Sequence, residues 1–207
     1  MARSPLTEPR KHAAQKRSRA TVDALIEATA RILVTEGFEK ASTNRIAETA
    51  GVSIGSLYQY FPGKEALVAA VIDRHHQEVM QVVRTALAEV ASQPLEKAVR
   101  KLVAVAIEAH RIDPKLHRVL TQQIPRTGRL ENVEAFNREA LALFRNYLEQ
   151  HRDEVRVADL DLAAFLCATA IEAVAHTAVL YRSDELTDAA FAALVDEATR
   201  LVVGYLK

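Results

Sequence analysis

Gly51 constrains this chain more than any other residue, because of what stands on either side of it. Before it, Ser42 and Thr43 place hydroxyls where a helix would start and can cap its free amides. Asn44 to Ala50 then carries Ile46 and Ala47 on one face. Glycine tolerates the left-handed backbone that ends a helix. Val52 is the apolar residue of the turn, and Ser53 can cap a second helix over Ile54 to Tyr60, stopped by Pro62. Ala47 supplies the small residue that a steep crossing needs. Leu57 plugs back toward Ile46 and Ala47. Ile54, Leu57 and Phe61 fall at i, i+3 and i+7, which predicts one inward face. Gly55, Ser56, Gln59 and part of Tyr58 are left outward. The pattern is a helix-turn-helix, and the groups its second helix shows to solvent suit a DNA major groove. The plainer reading of the same pattern is a solvated pair of helices on a helical protein.

The pattern extends further as T-x-x-x-A-x-x-A-G-V-S-x-G-x-L-Y-x-Y-F-x-x-K-E-x-L, from Thr43 to Leu67. This stretch resembles the DNA-binding domain of the tetracycline-repressor (TetR) family of bacterial transcription regulators. The resemblance is sharp over residues 19–70. Beyond them it rests on length and helical pattern. It implies DNA contacts from Thr43, Asn44, Arg45, Ser53, Gly55, Ser56, Tyr58, Gln59, Tyr60 and Lys64. Thr43 and Asn44 would reach backbone or base edges, and Gly55 and Ser56 would let the second helix approach closely. Tyr58 and Tyr60 would offer hydroxyls to phosphates. Gln59 has the groups to read an adenine by two hydrogen bonds, and Lys64 adds charge at a helix start that attracts anions. Arg45 either touches phosphate or stays in solvent.

The rest of the chain predicts an all-α fold of about nine helices. Helix 1 should run from Arg19 to Glu36, with Val22, Leu25, Ile26, Thr29, Ile32 and Leu33 as its stripe. A fourth helix from Lys64 to Ala91 is long enough for a rod of roughly 40 Å. Further helices are expected over Leu95–Arg111, Lys115–Ile124 and Glu131–His151. Leu160–Leu180 is apolar almost all round, so it must be covered on every side, and one chain this short covers only part of it. Together with Thr187–Tyr205 it is expected to pair with its copy as a four-helix interface, a homodimer through about 160–181 and 187–205. The alternative is an apolar hairpin buried within one chain.

These readings give a basic arm at 1–18, a helix-turn-helix domain at 19–63 and a ligand-binding and dimerisation domain at 64–207. The arm carries Arg3, Arg10, Lys11, Lys16 and Arg17, and reads as disordered phosphate-contacting chain or as a solubilising tail. Net charge is zero overall, but residues 1–64 hold ten Lys or Arg against six Asp or Glu. That imbalance alone decides nothing. Cys167 is the sole cysteine, which fits a reducing cytoplasm. No signal-peptide core is seen at the start, and no apolar run was expected to reach the ~20 residues of a membrane span.

The resemblance also implies a ligand pocket in the body. Polar groups among the apolar ones there are His110, His117, Gln122, Gln123, Asn137, Tyr147, Glu172 and His176. Of the apolar residues, Phe144 is a candidate wall, although it, Phe136 and Phe165 read first as core. Glu172 and His176, four apart on one helical face, would orient a ligand's polar group or form a structural pair. Histidine spacing predicts no metal: His75 and His76 are adjacent, Pro114 interrupts His110 and His117, and no HExxH or HxxxH occurs. No catalytic signature occurs either, so neither an enzyme nor a cofactor is expected. The expected function is a cytoplasmic, ligand-responsive transcription regulator. It would be a repressor released from a near-palindromic DNA operator by a small, largely apolar effector. A ligand-binding or scaffold protein that keeps the fold without DNA activity is the alternative.

Overall fold

A computed structural model describes residues 16–111, 113–122, 130–181 and 187–207. Among the described residues there are nine α-helices: α1 (Lys16–Thr35), α2 (Thr43–Ala50), α3 (Ile54–Tyr60), α4 (Lys64–Val90), α5 (Leu95–Arg111), α6 (Pro114–Gln122), α7 (Leu130–Gln150), α8 (Leu160–Tyr181) and α9 (Asp188–Leu206). A short 3₁₀ turn, Arg152–Glu154, follows α7. The helix starting at Lys16 takes in Lys16 to Ser18, which the sequence reading had left in the arm. Arg3, Arg10 and Lys11 of that arm lie outside the described residues.

Contacts divide the chain into two compact units. One holds the described residues up to His76 and those of Lys115–Val133. The other holds Gln77–Pro114 and the described residues of Glu134–Lys207. α4 is one unbroken 27-residue helix and contributes to both.

The first unit closes around Leu25, Ile32 and Leu33 of α1, Ile46 and Ala47 of α2, Leu57 of α3, and Phe61. Ala66, Leu67 and Val71 of α4 and Leu116, Val119 and Leu120 of α6 complete it. α1 packs on α2, and α2 on α3. Thr29, fully buried in α1, donates its hydroxyl to the Leu25 carbonyl at 2.7 Å, which removes the cost of hiding it. The turn between α2 and α3 shows why Gly51 is there. Its φ is 68°, and the Val52 amide reaches back to the Ala47 carbonyl at 3.0 Å while the Gly51 amide reaches Glu48 at 3.1 Å. That closure is the helix end that a left-handed residue makes possible.

The second unit is built on α5, which packs against α8 and α9. Leu102, Val103 and Ile107 meet Phe144 and Leu148 of α7, Ala163, Ala164, Cys167 and Val179 of α8, and Val195, Val202 and Leu206 of α9. The alanines of α8 let the helices close on one another. The amino end of α5 is capped from a distance: the Leu95 amide donates to the Glu154 carboxylate at 3.1 and 3.3 Å. Beside it, the Tyr147 hydroxyl donates to the Gln93 carbonyl at 3.1 Å. Burial, with the Glu154 charge behind it, pushes the Tyr147 hydroxyl up to about 12. The last turn of α9 is tied in by the Arg156 amide, 2.8 Å from the Leu206 carbonyl.

Two expectations need correction. By length and composition α8 does pass the test for a membrane span, so the reading that no run approaches one was wrong. Asp161, Glu172 and His176 interrupt it too sparsely to matter to that measure. The inward triplet of α3 is also incomplete: Leu57 and Phe61 are buried, but Ile54 is 38% exposed. As the first residue of a seven-residue helix, Ile54 has no preceding turn to lie under.

Candidate DNA-binding surface and effector cavity

α3 presents Gly55, Tyr58 and Gln59 to solvent, with Ser56 and Tyr60 half-buried. Leu57 and Phe61, wholly inside, hold the helix from behind. Ser53 caps it: the Ser56 amide donates to the Ser53 Oγ at 3.1 Å, and the two hydroxyls lie 2.8 Å apart. Ser42 caps α2 in the same way, accepting from the Arg45 amide at 3.2 Å. Gly55 has open space around it. A Cβ there would find only the Ser53 Oγ, at 4.0 Å. Among the described residues, nothing requires a glycine at that position.

Thr43 and Tyr58 meet across the two helices, hydroxyl to hydroxyl at 3.1 Å, so one polar pair bridges their outer edges. Asn44 is exposed beside it. Arg45 is exposed as well, but its guanidinium lies 3.1 Å from the carboxylates of both Glu36 and Glu48, whose hydrogen bonds raise its pKa. It braces α2 to the end of α1. The Lys64 ammonium donates to the Phe38 carbonyl at 3.2 Å and sits 4.0 Å above the Phe38 ring, so it too is held within this unit.

The second unit contains a cavity of about 290 Å³. Val79, Met80, Val83 and Leu87 of α4 form one wall. Leu102, Val105, Ala106 and Ala109 of α5, Ala140, Leu141 and Phe144 of α7, and Phe165, Ala168, Thr169 and Ile171 of α8 form the others. Its polar groups are His110, Thr169 and Glu172. His110 is buried, its Nδ1–H donating to the Ala106 carbonyl at 2.7 Å and its Nε2 lying 3.0 Å from Glu172 Oε1. Burial, the largest influence, lowers its pKa. The bond to Glu172, that group's charge and the Ala106 carbonyl together outweigh it, so the imidazole is held above its ordinary value.

Of the predicted ligand residues, His110, Phe144 and Glu172 line this cavity. His176 stands beside His110, ring centroids 6.2 Å apart and edge to face. Tyr147 is bonded to the backbone of Gln93 and stacked on His151 rather than lining the cavity. The side chains of Gln122, Gln123, Phe136 and Asn137 lie outside the described residues. Phe165, read first as core, is 50% exposed and lines the cavity. The α4 and α5 wall residues were legible only as apolar stripes, because a cavity is a place where such stripes fail to meet.

Residues 94–206 match the family described as "Tetracyclin repressor-like, C-terminal domain", and residues 25–71 match "Bacterial regulatory proteins, tetR family". The chain belongs to the TetR family. That family is one of bacterial regulators rather than enzymes. The chain is 31% identical over 118 residues to the nucleoid occlusion factor SlmA of Haemophilus ducreyi, an alignment covering 56% of this chain and 55% of that protein. The chain thus spans about half the length of that curated relative. Among solved structures it is similar to the fatty acid degradation regulator FadR of Bacillus halodurans, with TM-score 0.70, 22% identity and coverage of 95% and 98% of the two chains. It is also similar to SmeT, the repressor of a Stenotrophomonas maltophilia multidrug efflux pump, with TM-score 0.65, 24% identity and 93% of each chain covered. At these identities the likeness is one of fold.

Proposed function

We propose that this TetR-family regulator is a cytoplasmic homodimeric repressor whose α3 reads a near-palindromic operator. One observation carries the DNA reading: the Gly55, Tyr58 and Gln59 surface of α3 is exposed while Leu57 and Phe61 anchor it from the other side. Gln59 reads a base edge, and Tyr58 with Thr43 grips a phosphate. Asn44, Ser53, Ser56 and Tyr60 stand around that contact. The open amides at the start of α4, beginning at Lys64, attract a second phosphate. Arg45, already engaged by two carboxylates, positions α2 in this reading rather than meeting DNA.

The dimer is supported by what α8 and α9 leave uncovered. Leu162, Phe165 and Leu166 are 43–50% exposed, and Leu201 and Tyr205 are 61% and 42% exposed. Leu162, Phe165, Leu166, Thr169 and Ala173 follow i, i+3, i+4, i+7 and i+11, a single helical face. Two copies of that face covering each other would join two α3 helices in one particle, as a near-palindromic operator with half-sites roughly 34–36 Å apart requires. The effector is a small, largely apolar molecule in the α4–α5–α7–α8 cavity, its polar end toward His110 and Glu172. Because α4 supplies both a cavity wall and part of the other unit's core, an occupant that shifts that wall acts on a helix the DNA-binding unit is built upon. It releases DNA only if it binds the released state more tightly.

The test is selection of fragments bound from the genomic DNA of the source, followed by titration of the recovered sequence. A palindromic fragment bound with a steep salt dependence, and weakened about tenfold or more by Gln59→Ala, is the expected result. Binding indifferent to Gln59→Ala and Tyr58→Phe would remove α3 as the reading element.

A further inference from the structure

The cavity between α4, α5, α7 and α8 has few polar groups, and their donors and acceptors decide what charge it would hold. Among the described lining residues, those of α4 and α7 are all apolar, and only His110, Thr169 and Glu172 are polar. Both donors of the His110 ring are committed. Its Nδ1 meets the Ala106 carbonyl at 2.7 Å, and a carbonyl only accepts, so that nitrogen carries a proton. Its Nε2 lies 3.0 Å from Glu172 Oε1, also an acceptor when ionised, so a second proton points at the carboxylate. The raised pKa of His110 accords with the imidazolium that this pairing requires. An occupant of the cavity therefore finds no donor left on this ring.

Glu172 offers the opposite. A carboxylate has about four acceptor sites, so its bond to one imidazolium does not exhaust it. Its side chain is 58% exposed, which keeps the charge hydrated while it reaches the cavity. A carboxylate on the occupant would bring a second negative charge to Glu172, with only the neutral Thr169 hydroxyl to donate to it. An ammonium would donate to Glu172 through a charge-assisted hydrogen bond, roughly twice as strong as a neutral one. The exposure of Glu172 also weakens the repulsion between that ammonium and the imidazolium. The apolar remainder sets the size. A cavity of ~150 Å³ holds a benzene, so one of about 290 Å³ takes a body of about two fused rings.

We propose that the cavity takes an amine, carried as an ammonium on an apolar body of about two rings, and that Glu172 selects it against carboxylic acids of the same shape. The proposal rests on the reading of this cavity as the effector site and adds the effector's charge. Glu172 is the specificity residue. His110 holds it in place from α5 across to α8, and with both N–H groups spent it cannot serve as an anion's donor. Sequence spacing did not show this, because the two lie 62 residues apart and only the packing of α5 on α8 joins them.

Naphthalenes of nearly one shape test it: 1-naphthylmethylamine, 1-naphthalenemethanol and 1-naphthoic acid, each titrated calorimetrically into the full chain at neutral pH. The amine should bind at least about tenfold more tightly than the alcohol, and the acid at least about tenfold more weakly than the alcohol. Glu172→Gln should bring the amine to within about threefold of the alcohol. Ala168→Trp, which fills the cavity, should abolish binding of both. The ranking of the probes on the unaltered protein needs no variant, so it decides the charge even if Ala168→Trp does not fold. Alcohol binding that Ala168→Trp removes, with the amine no tighter, would overturn the proposal and leave the effector cavity standing. An amine preference that survives Glu172→Gln would overturn it as well. Binding of none of the probes, or binding that Ala168→Trp does not touch, would remove the cavity reading and the proposal with it.

Discussion

At Gly51 and Gly55 the same residue type serves opposite ends, and substitution separates them. Gly51 sits at φ 68° with nothing within 4 Å of where a Cβ would be. Gly51→Ala therefore meets no clash, and its whole cost is the left-handed backbone, about 1–2 kcal/mol in urea denaturation. Gly55 lies inside a helix with open space beside it. Gly55→Ala should raise stability by about 0.5–1 kcal/mol while weakening operator binding, because the added methyl meets DNA and not protein. A loss of stability there would mean that the glycine serves the fold. Cys167 gives a third measurement at this scale. Burial pushes its thiol up to about 11. At pH 8 only about one molecule in a thousand then carries the thiolate, against about a quarter for an ordinary exposed cysteine. Labelling by an aromatic disulfide should accordingly be at least about 100-fold slower in the native protein than in urea.

At the scale of the helix, end chemistry decided what could be read in advance. α3 and α5 have the expected bounds, since Ser53 and Pro62 bracket the first, and Pro94 and the Asp113–Pro114 turn bracket the second. α1 runs three residues further back than Arg19, where no capping residue marks a start. What caps α5 was invisible from the sequence: the acceptor, Glu154, is 59 residues away on a 3₁₀ turn. Glu154→Ala leaves the first amides of α5 without that partner and should cost about 0.5–2 kcal/mol, read from the denaturation midpoint at unchanged slope. No effect would mean that water replaces the carboxylate fully. The outward residues of α3 were legible because a fixed spacing carries them. The cavity was not, because Val79, Val83 and Leu87 have the same pattern whether they meet a neighbour or a gap. Of the polar groups singled out in the body, His110 and Glu172 both line the cavity and pair with each other from α5 to α8.

At the scale of the whole molecule, α8 poses the question of what covers an apolar helix. Its inner side is closed by α5 and α9, while Leu162, Phe165 and Leu166 remain outside. Each is already about half-buried, so covering the rest contributes roughly 1 kcal/mol apiece, and three on α8 with two on α9, doubled by symmetry, supply about 10 kcal/mol toward the ~4–15 kcal/mol that association costs. A membrane would also cover α8, but would leave the exposed Leu201–Tyr205 edge of α9 unexplained. The variant Leu162→Glu with Leu201→Glu discriminates. In an isolated chain both positions are solvated, and the charges do little to the fold. In a dimer they are buried without partners. Sedimentation should move from twice the 22.9 kDa chain mass to the chain mass itself, with helical content retained. Operator affinity should fall by about 10²–10⁴, the advantage of engaging two half-sites through one particle. A variant that still sediments as a dimer would locate the interface elsewhere. A monomer that binds the operator as tightly as the unaltered protein would show that one α3 helix is enough.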